Sequence, residues 1–201
     1  DGGVSTLEGA TLEGHFGDIL DQRWQQAAGG VDDSLNALNL PFIGGWALYL
    51  SYEYAQIVEP VLSLPVSDFS APVALALRCP VAVVVDALEE VTWLVVEPAH
   101  ADLLTLLQHD VLAIQALAAE EESLPLLTAV SEAEDEGFLS IVRQAREYIA
   151  AGDVFQINLS RRWTLKFESN VAASVVYSAL RIANPAPFAG LFAWNEWAVV
   201  S

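Results

Sequence analysis

The sequence predicts an α+β fold, with two packed, mainly antiparallel β-sheets flanked by helices, and three observations carry that expectation. Strand candidates follow one another directly across residues 73–97, so hairpin pairing is the simplest arrangement. Segments with helical apolar spacing lie before and after this cluster instead of alternating with each strand, which argues against a doubly wound sheet. Hydrophobic residues make up 54% and charged residues 17% of the 201 residues, the balance of a chain that buries a core.

Taken in order, residues 1–17 are rich in Gly, Ser and Thr without a period and read as loop. Residues 18–28 follow as a short helix, with Ile19, Leu20, Arg23 and Trp24 at helical spacing and Gly29-Gly30 as its stop. Pro41-Phe42-Ile43-Gly44-Gly45 is a turn signal ahead of an aromatic and apolar run from Trp46 to Tyr54. Strands are predicted over 73–78, 80–87 and 91–97, the last two joined as a hairpin around Leu88-Glu89-Glu90. Residues 99–122 form an amphipathic helix carrying Leu103, Leu104, Leu106, Leu107, Val111, Ile114 and Leu117.

A linker is predicted over 123–130, around Pro125. Ser131 and Glu134 have the spacing of a capping box, in which hydroxyl and carboxylate satisfy each other's free backbone donors. The helix that should follow carries Phe138, Ile141, Val142, Ala145, Tyr148 and Ile149 on one face and ends at Gly152. Residues 154–167 then read as a long strand, 171–183 as a helix ended by Asn184-Pro185, and 188–201 as a strand pair turning near Asn195-Glu196.

The formal charge is −19, from 27 acidic and 8 basic residues, and it repels polyphosphate backbones, so nucleic acid is not an expected partner. The charge is uneven: residues 1–130 hold 19 acids against 2 bases, and residues 131–201 hold 8 against 6. That change places an expected domain division at 1–130 and 131–201. No apolar run reaches the roughly 18 residues that span a bilayer, so no membrane partner is expected. The single Cys79 has no partner for a disulfide or a zinc site, which makes the cytoplasm the default location. His15, His100 and His109 show no ligand spacing. With no Met and an apolar ending, the chain reads as an internal piece of a longer protein.

Two constellations could carry chemistry. If residues 154–162 form a strand, Phe155, Ile157 and Leu159 point one way while Gln156, Asn158 and Ser160 point the other. That row of amides and hydroxyl meets either water or a polar cleft, and periodicity leaves both open. In Asn184-Pro185-Ala186-Pro187-Phe188-Ala189-Gly190 the prolines fix the backbone, which suits either a pre-shaped pocket wall or a turn leading into a strand. The Gly44-Gly45 pair lacks the spacing of a phosphate cradle and reads as a turn before core aromatics.

Three stretches together resemble the chorismate-utilising family that contains anthranilate synthase component I and aminodeoxychorismate synthase component I. They are PFIGGWALYLSYEYAQIVE at 41–59, AREYIAAGDVFQINLSRRW at 145–163 and NPAPFAGLFAWNEWAVVS at 184–201, in the family's order and spacing. In the family's water-adding members a Lys occupies the position of Gln156 and serves as the base. An amide cannot accept that proton at neutral pH, so the resemblance points to the members that use an amine nucleophile. QINLSRR and NPAPF look more like the aminodeoxychorismate-forming enzymes, which serve folate and p-aminobenzoate synthesis, with anthranilate synthase component I as the alternative. A non-catalytic module that binds a partner or an amino acid is the reading from another class.

The resemblance also implies chorismate as substrate, a glutamine amidotransferase subunit as partner, and Mg2+ whose ligands lie outside these residues. Pro187, Phe188 and Ala189 match one wall of a tryptophan pocket in several members. Chorismate is a dianion, so a chain carrying −19 needs cationic help to hold it.

Overall fold

The computed structural model describes residues 3–27, 38–67, 69–116, 123–132 and 135–201. The chain falls into two units, Asp1–Ala118 and Ala119–Ser201. The class is α+β, and every ladder among the described residues is antiparallel, formed as a two-stranded pair.

In the first unit a short ladder joins β1 (Val4–Ser5) to β2 (Thr11–Leu12), within residues expected to be loop. Its turn closes through Thr6 N donating to Ala10 O at 2.8 Å. The Glu8 backbone amide and the Thr6 hydroxyl hold the Glu8 carboxyl below its ordinary range there. Helix α1 (Phe16–Ala27) has Asp18 in its first turn, where a carboxylate complements the helix dipole. The Phe16 ring meets Tyr54 edge-on at 5.9 Å. The expected stop at Gly29-Gly30 lies outside the described residues.

Strand β3 (Gly45–Leu50) leads through a 3-10 turn (Tyr52–Tyr54) into the short helix α2 (Ala55–Val58), so the run expected to stay extended to Tyr54 bends after Leu50. It pairs with β4 (Ala74–Cys79) from Gly45 opposite Cys79 to Leu50 opposite Ala74. Leu75 is buried on β4, in this unit's core. β5 (Val81–Asp86) and β6 (Val91–Val96) form the expected hairpin. Its turn is fixed by Asp86 Oδ1, which accepts from the amides of Leu88 at 2.9 Å and Glu89 at 3.1 Å. Helix α3 (Leu103–Ala116) follows a 3-10 turn at Pro98–His100 and lies beside β6. The remainder of the expected helix, 117–122, lies outside the described residues.

In the second unit β7 (Leu127–Glu132) pairs with β8 (Trp163–Phe167). Half of the expected linker, residues 127–130, is therefore strand, and the change of charge near residue 130 falls inside β7. Ser131 sits in that ladder opposite Thr164, so it does not cap a helix; Glu134 lies outside the described residues. The ladder takes Ser131 because its extended backbone finds a partner strand there. Helix α4 (Asp135–Ala151) opens with Asp135 and Glu136 in its first turn and buries Ala145. Helix α5 (Ala173–Ala183) buries Val175 and packs beside the hairpin of β9 (Leu191–Trp194) and β10 (Trp197–Val200). That hairpin turns at Asn195, whose φ of 50° suits an asparagine.

Gly152 ends α4 as expected, with φ 83°. Gly152 N donates to Ile149 O and Asp153 N to Tyr148 O, both at 3.1 Å, the paired bonds of a Schellman cap. An L side chain in this conformation costs about 1–2 kcal/mol. Gly152→Ala should therefore lower the unfolding free energy of the second unit by that amount, read as a lower urea midpoint at an unchanged denaturant slope.

Among the described residues no helix is long and apolar enough to cross a membrane.

Candidate functional site

The segment between α4 and β8 departs from expectation. Residues 154–162 form no strand, and the ladder with β7 begins only at Trp163. The physical reason is partnership: β7 runs out of residues at Glu132, which pairs with Trp163, so the preceding backbone has no neighbour in that ladder. The alternating apolar face is lost with it. Phe155 is 93% exposed and Leu159 exposed, while Ile157 is half-buried. Gln156, Asn158 and Ser160 are also exposed, and Gln156 Nε2 donates to Asn158 Oδ1 at 3.2 Å. The two amides thus touch each other on an irregular segment open to water, and the strand on which the alternation depended is not formed.

Pro187 and Phe188 form a turn between α5 and β9, closed by Ala189 N donating to Ala186 O at 3.3 Å. Phe188 is 93% exposed and Ala189 half-buried. The stiff turn is present, and its aromatic ring projects into water instead of lining an enclosed pocket within this unit.

Arg161 gains a position that the sequence showed only as part of QINLSRRW. Its Nη2 binds Asp135 Oδ1 at the start of α4 and lies 3.4 Å from Glu132 Oε2 at the end of β7. Its guanidinium carbon stands 5.8 Å from the ring centroids of both Phe138 and Trp163. One planar cation therefore ties the helix start to both strands of the ladder. An arginine two residues before an aromatic strand, set against an acidic helix start, is a signal that could have found it.

In the first unit a cavity of about 450 Å³ opens between α1 and β3, lined in part by Leu20, Asp21, Trp24, Phe42, Trp46 and Leu48. Gly44 and Gly45 take φ of 124° and 137° and turn the chain into β3. Behind that turn Arg78 Nη1 donates to Gly45 O at 2.9 Å, Nη2 pairs with Glu97 Oε2, and the guanidinium covers Trp46 at 4.6 Å. The glycine pair is thus a close-approach turn, the reading that needed no phosphate.

No grouping of three or more His, Cys, Asp or Glu side chains among the described residues could hold a metal ion.

Residues 5–201 match the family described as chorismate binding enzyme. The chain is 31% identical over 151 residues to an anthranilate synthase component I-like protein of Synechocystis sp., covering 75% of this chain and 30% of that one. It is 33% identical over 157 residues to aminodeoxychorismate synthase component 1 of Bacillus subtilis, covering 73% and 33%. The crystal structure of anthranilate synthase component I from Streptococcus pneumoniae TIGR4 superposes with a TM-score of 0.71 at 20% identity, over 96% of this chain and 44% of that one. That likeness shows the fold. The chain spans about a third of the length of the curated relatives it matches.

Proposed function

Since the chain belongs to the chorismate-binding enzyme family, we propose that it serves as part of a chorismate-aminating synthase that forms 4-amino-4-deoxychorismate. In this reading ammonia supplies the amino group and the chorismate 4-hydroxyl leaves as water. A glutamine amidotransferase partner would release the ammonia, and the product would feed folate precursor synthesis in the cytoplasm.

The observation that carries the reading is an amide, Gln156, where the resemblance puts a Lys base in water-adding relatives. At neutral pH the Gln156 side chain neither takes nor gives a proton, so it cannot activate water. It can hold water or substrate by hydrogen bonds, and its pairing with Asn158 Oδ1 at 3.2 Å orients the two amides together. Because both are exposed in this unit, the reading needs a cleft closed by surfaces other than those of residues 119–201. Pro187, Phe188 and Ala189 are proposed as one wall of a tryptophan pocket on the same terms. Magnesium, which the resemblance implies, would be held by ligands outside these residues, and no step is routed through it. An anthranilate-forming synthase is the alternative reading, since the chain is similar both to the Synechocystis protein, at 31%, and to the Bacillus subtilis one, at 33%.

Placing Lys at this position tests the role. In a full-length synthase carrying this segment, Gln156→Lys should yield a hydroxylated, isochorismate-like product and slow amination, read by chromatography of the product mixture. Unchanged amination with no hydroxylated product would remove Gln156 from the chemistry.

A further inference from the structure

The cavity between α1 and β3 is not used by the proposed chemistry, and its lining has a definite character. Trp24, Phe42 and Trp46 supply three aromatic walls, Leu20 and Leu48 add apolar surface, and Asp21 is its charged side chain. Its volume of about 450 Å³ is of small-molecule size. Trp24 is 56% exposed, and both it and Asp21 lie on α1 and line the cavity. Gln25 Nε2 donates to Asp21 Oδ2 at 2.7 Å and fixes that carboxylate one turn before Trp24's neighbour.

The floor is pre-shaped. Phe42 is held over Gly45, where an added Cβ would meet its ring at 3.6 Å. Trp46 already carries a cation on its ring, the Arg78 guanidinium, whose charge Glu97 balances. The net charge presented to an occupant is therefore that of Asp21, within a chain of formal charge −19. Aromatic faces attract cations through their quadrupoles, most strongly when the cation has shed water. A carboxylate beside them selects charge over shape alone.

The geometry points to a binding site for a small organic ammonium ion, with its cationic head among Trp24, Phe42 and Trp46 and its charge opposite Asp21. This assignment does not rest on the aminating reading of residue 156, and each can fail without the other.

Choline chloride is the probe, titrated into the 201-residue chain while the indole N–H signals of its 6 tryptophans are followed by NMR. Saturable shifts are expected at Trp24 and Trp46, with Asp21→Asn weakening the affinity about threefold or more and Trp24→Ala doing the same. Both side chains are exposed on α1, so the variants should keep the fold, and the unshifted indole signals report whether they do. The neutral isostere 3,3-dimethylbutan-1-ol and sodium chloride at matched ionic strength are the controls. Equal binding of the alcohol, equal shifts with sodium chloride, or full affinity in Asp21→Asn would overturn the assignment.

Discussion

Gly44→Ala should destabilise the first unit by about 1–3 kcal/mol from backbone strain alone. Gly44 has φ 124°, which an L side chain rarely adopts. A Cβ there would also run into Glu97, lying 2.9 Å from both its Cγ and Cδ and closer still to Oε1. Glu97 cannot step aside cheaply, because its carboxylate pairs with Arg78, which in turn holds Gly45 O and covers Trp46. Moving it would leave a half-buried guanidinium short of its partner. Gly45→Ala separates the two costs, since its φ of 137° is equally strained while its Cβ would make only ordinary contact with Phe42 at 3.6 Å. Urea melts should rank wild type above Gly45→Ala and Gly45→Ala above Gly44→Ala. In a Glu97→Ala background the difference between the two alanine variants should shrink, the signature of a shared contact. Equal midpoints for Gly44→Ala and wild type would mean that the turn is not held by this cluster.

Local rules made part of the fold legible and left part of it hidden. The hairpin of β5 and β6 was readable because two β-rich runs flank a short polar turn, and nothing distant competes with that pairing. The end of α4 was readable because Gly152 serves a backbone conformation that few residues tolerate. β7 was missed because its residues, 127–132, are all exposed and show no alternation; only the distant partner Trp163–Phe167 makes them a strand. The opposite error fell on 154–162, where alternation was clear but no partner strand is at hand, so the pattern did not become a ladder. That error touches the candidate site directly. Gln156 and Asn158 do touch each other, yet neither the strand nor an enclosed cleft around them is formed by the described residues of their unit. The aromatic cavity stayed hidden for a related reason. Trp24 and Trp46 are separated by the chain that leads from α1 to β3, and no spacing rule joins a helix face to a glycine turn.

Arg161→Ala should cost the second unit about 2 kcal/mol, the scale of a hydrogen bond to a charged group together with loss of ring contact. The guanidinium reaches Asp135 and Glu132 and stands 5.8 Å from Phe138 and Trp163, so its removal acts at three element ends together. It also leaves Glu132 and Asp135 near one helix start without that counter-charge, while Glu136 beside them keeps Arg143 at 3.2 Å. Acidic residues suit a helix start, but several of them crowded together repel one another. Added salt should therefore recover part of the variant's deficit, because screening weakens the repulsion over about 10 Å at 0.1 M. Arg161→Lys keeps the charge and loses the planar guanidinium that stands near two rings while its Nη2 reaches both carboxylates, so its midpoint should fall between wild type and Arg161→Ala. Hydrogen exchange in the first turns of α4 should quicken in the same order, since that end of the helix is the one Arg161 fastens to the ladder. If Arg161→Ala melts with wild type and those amides exchange no faster, the packing of Ala145 holds α4 in place and the arginine is a bystander.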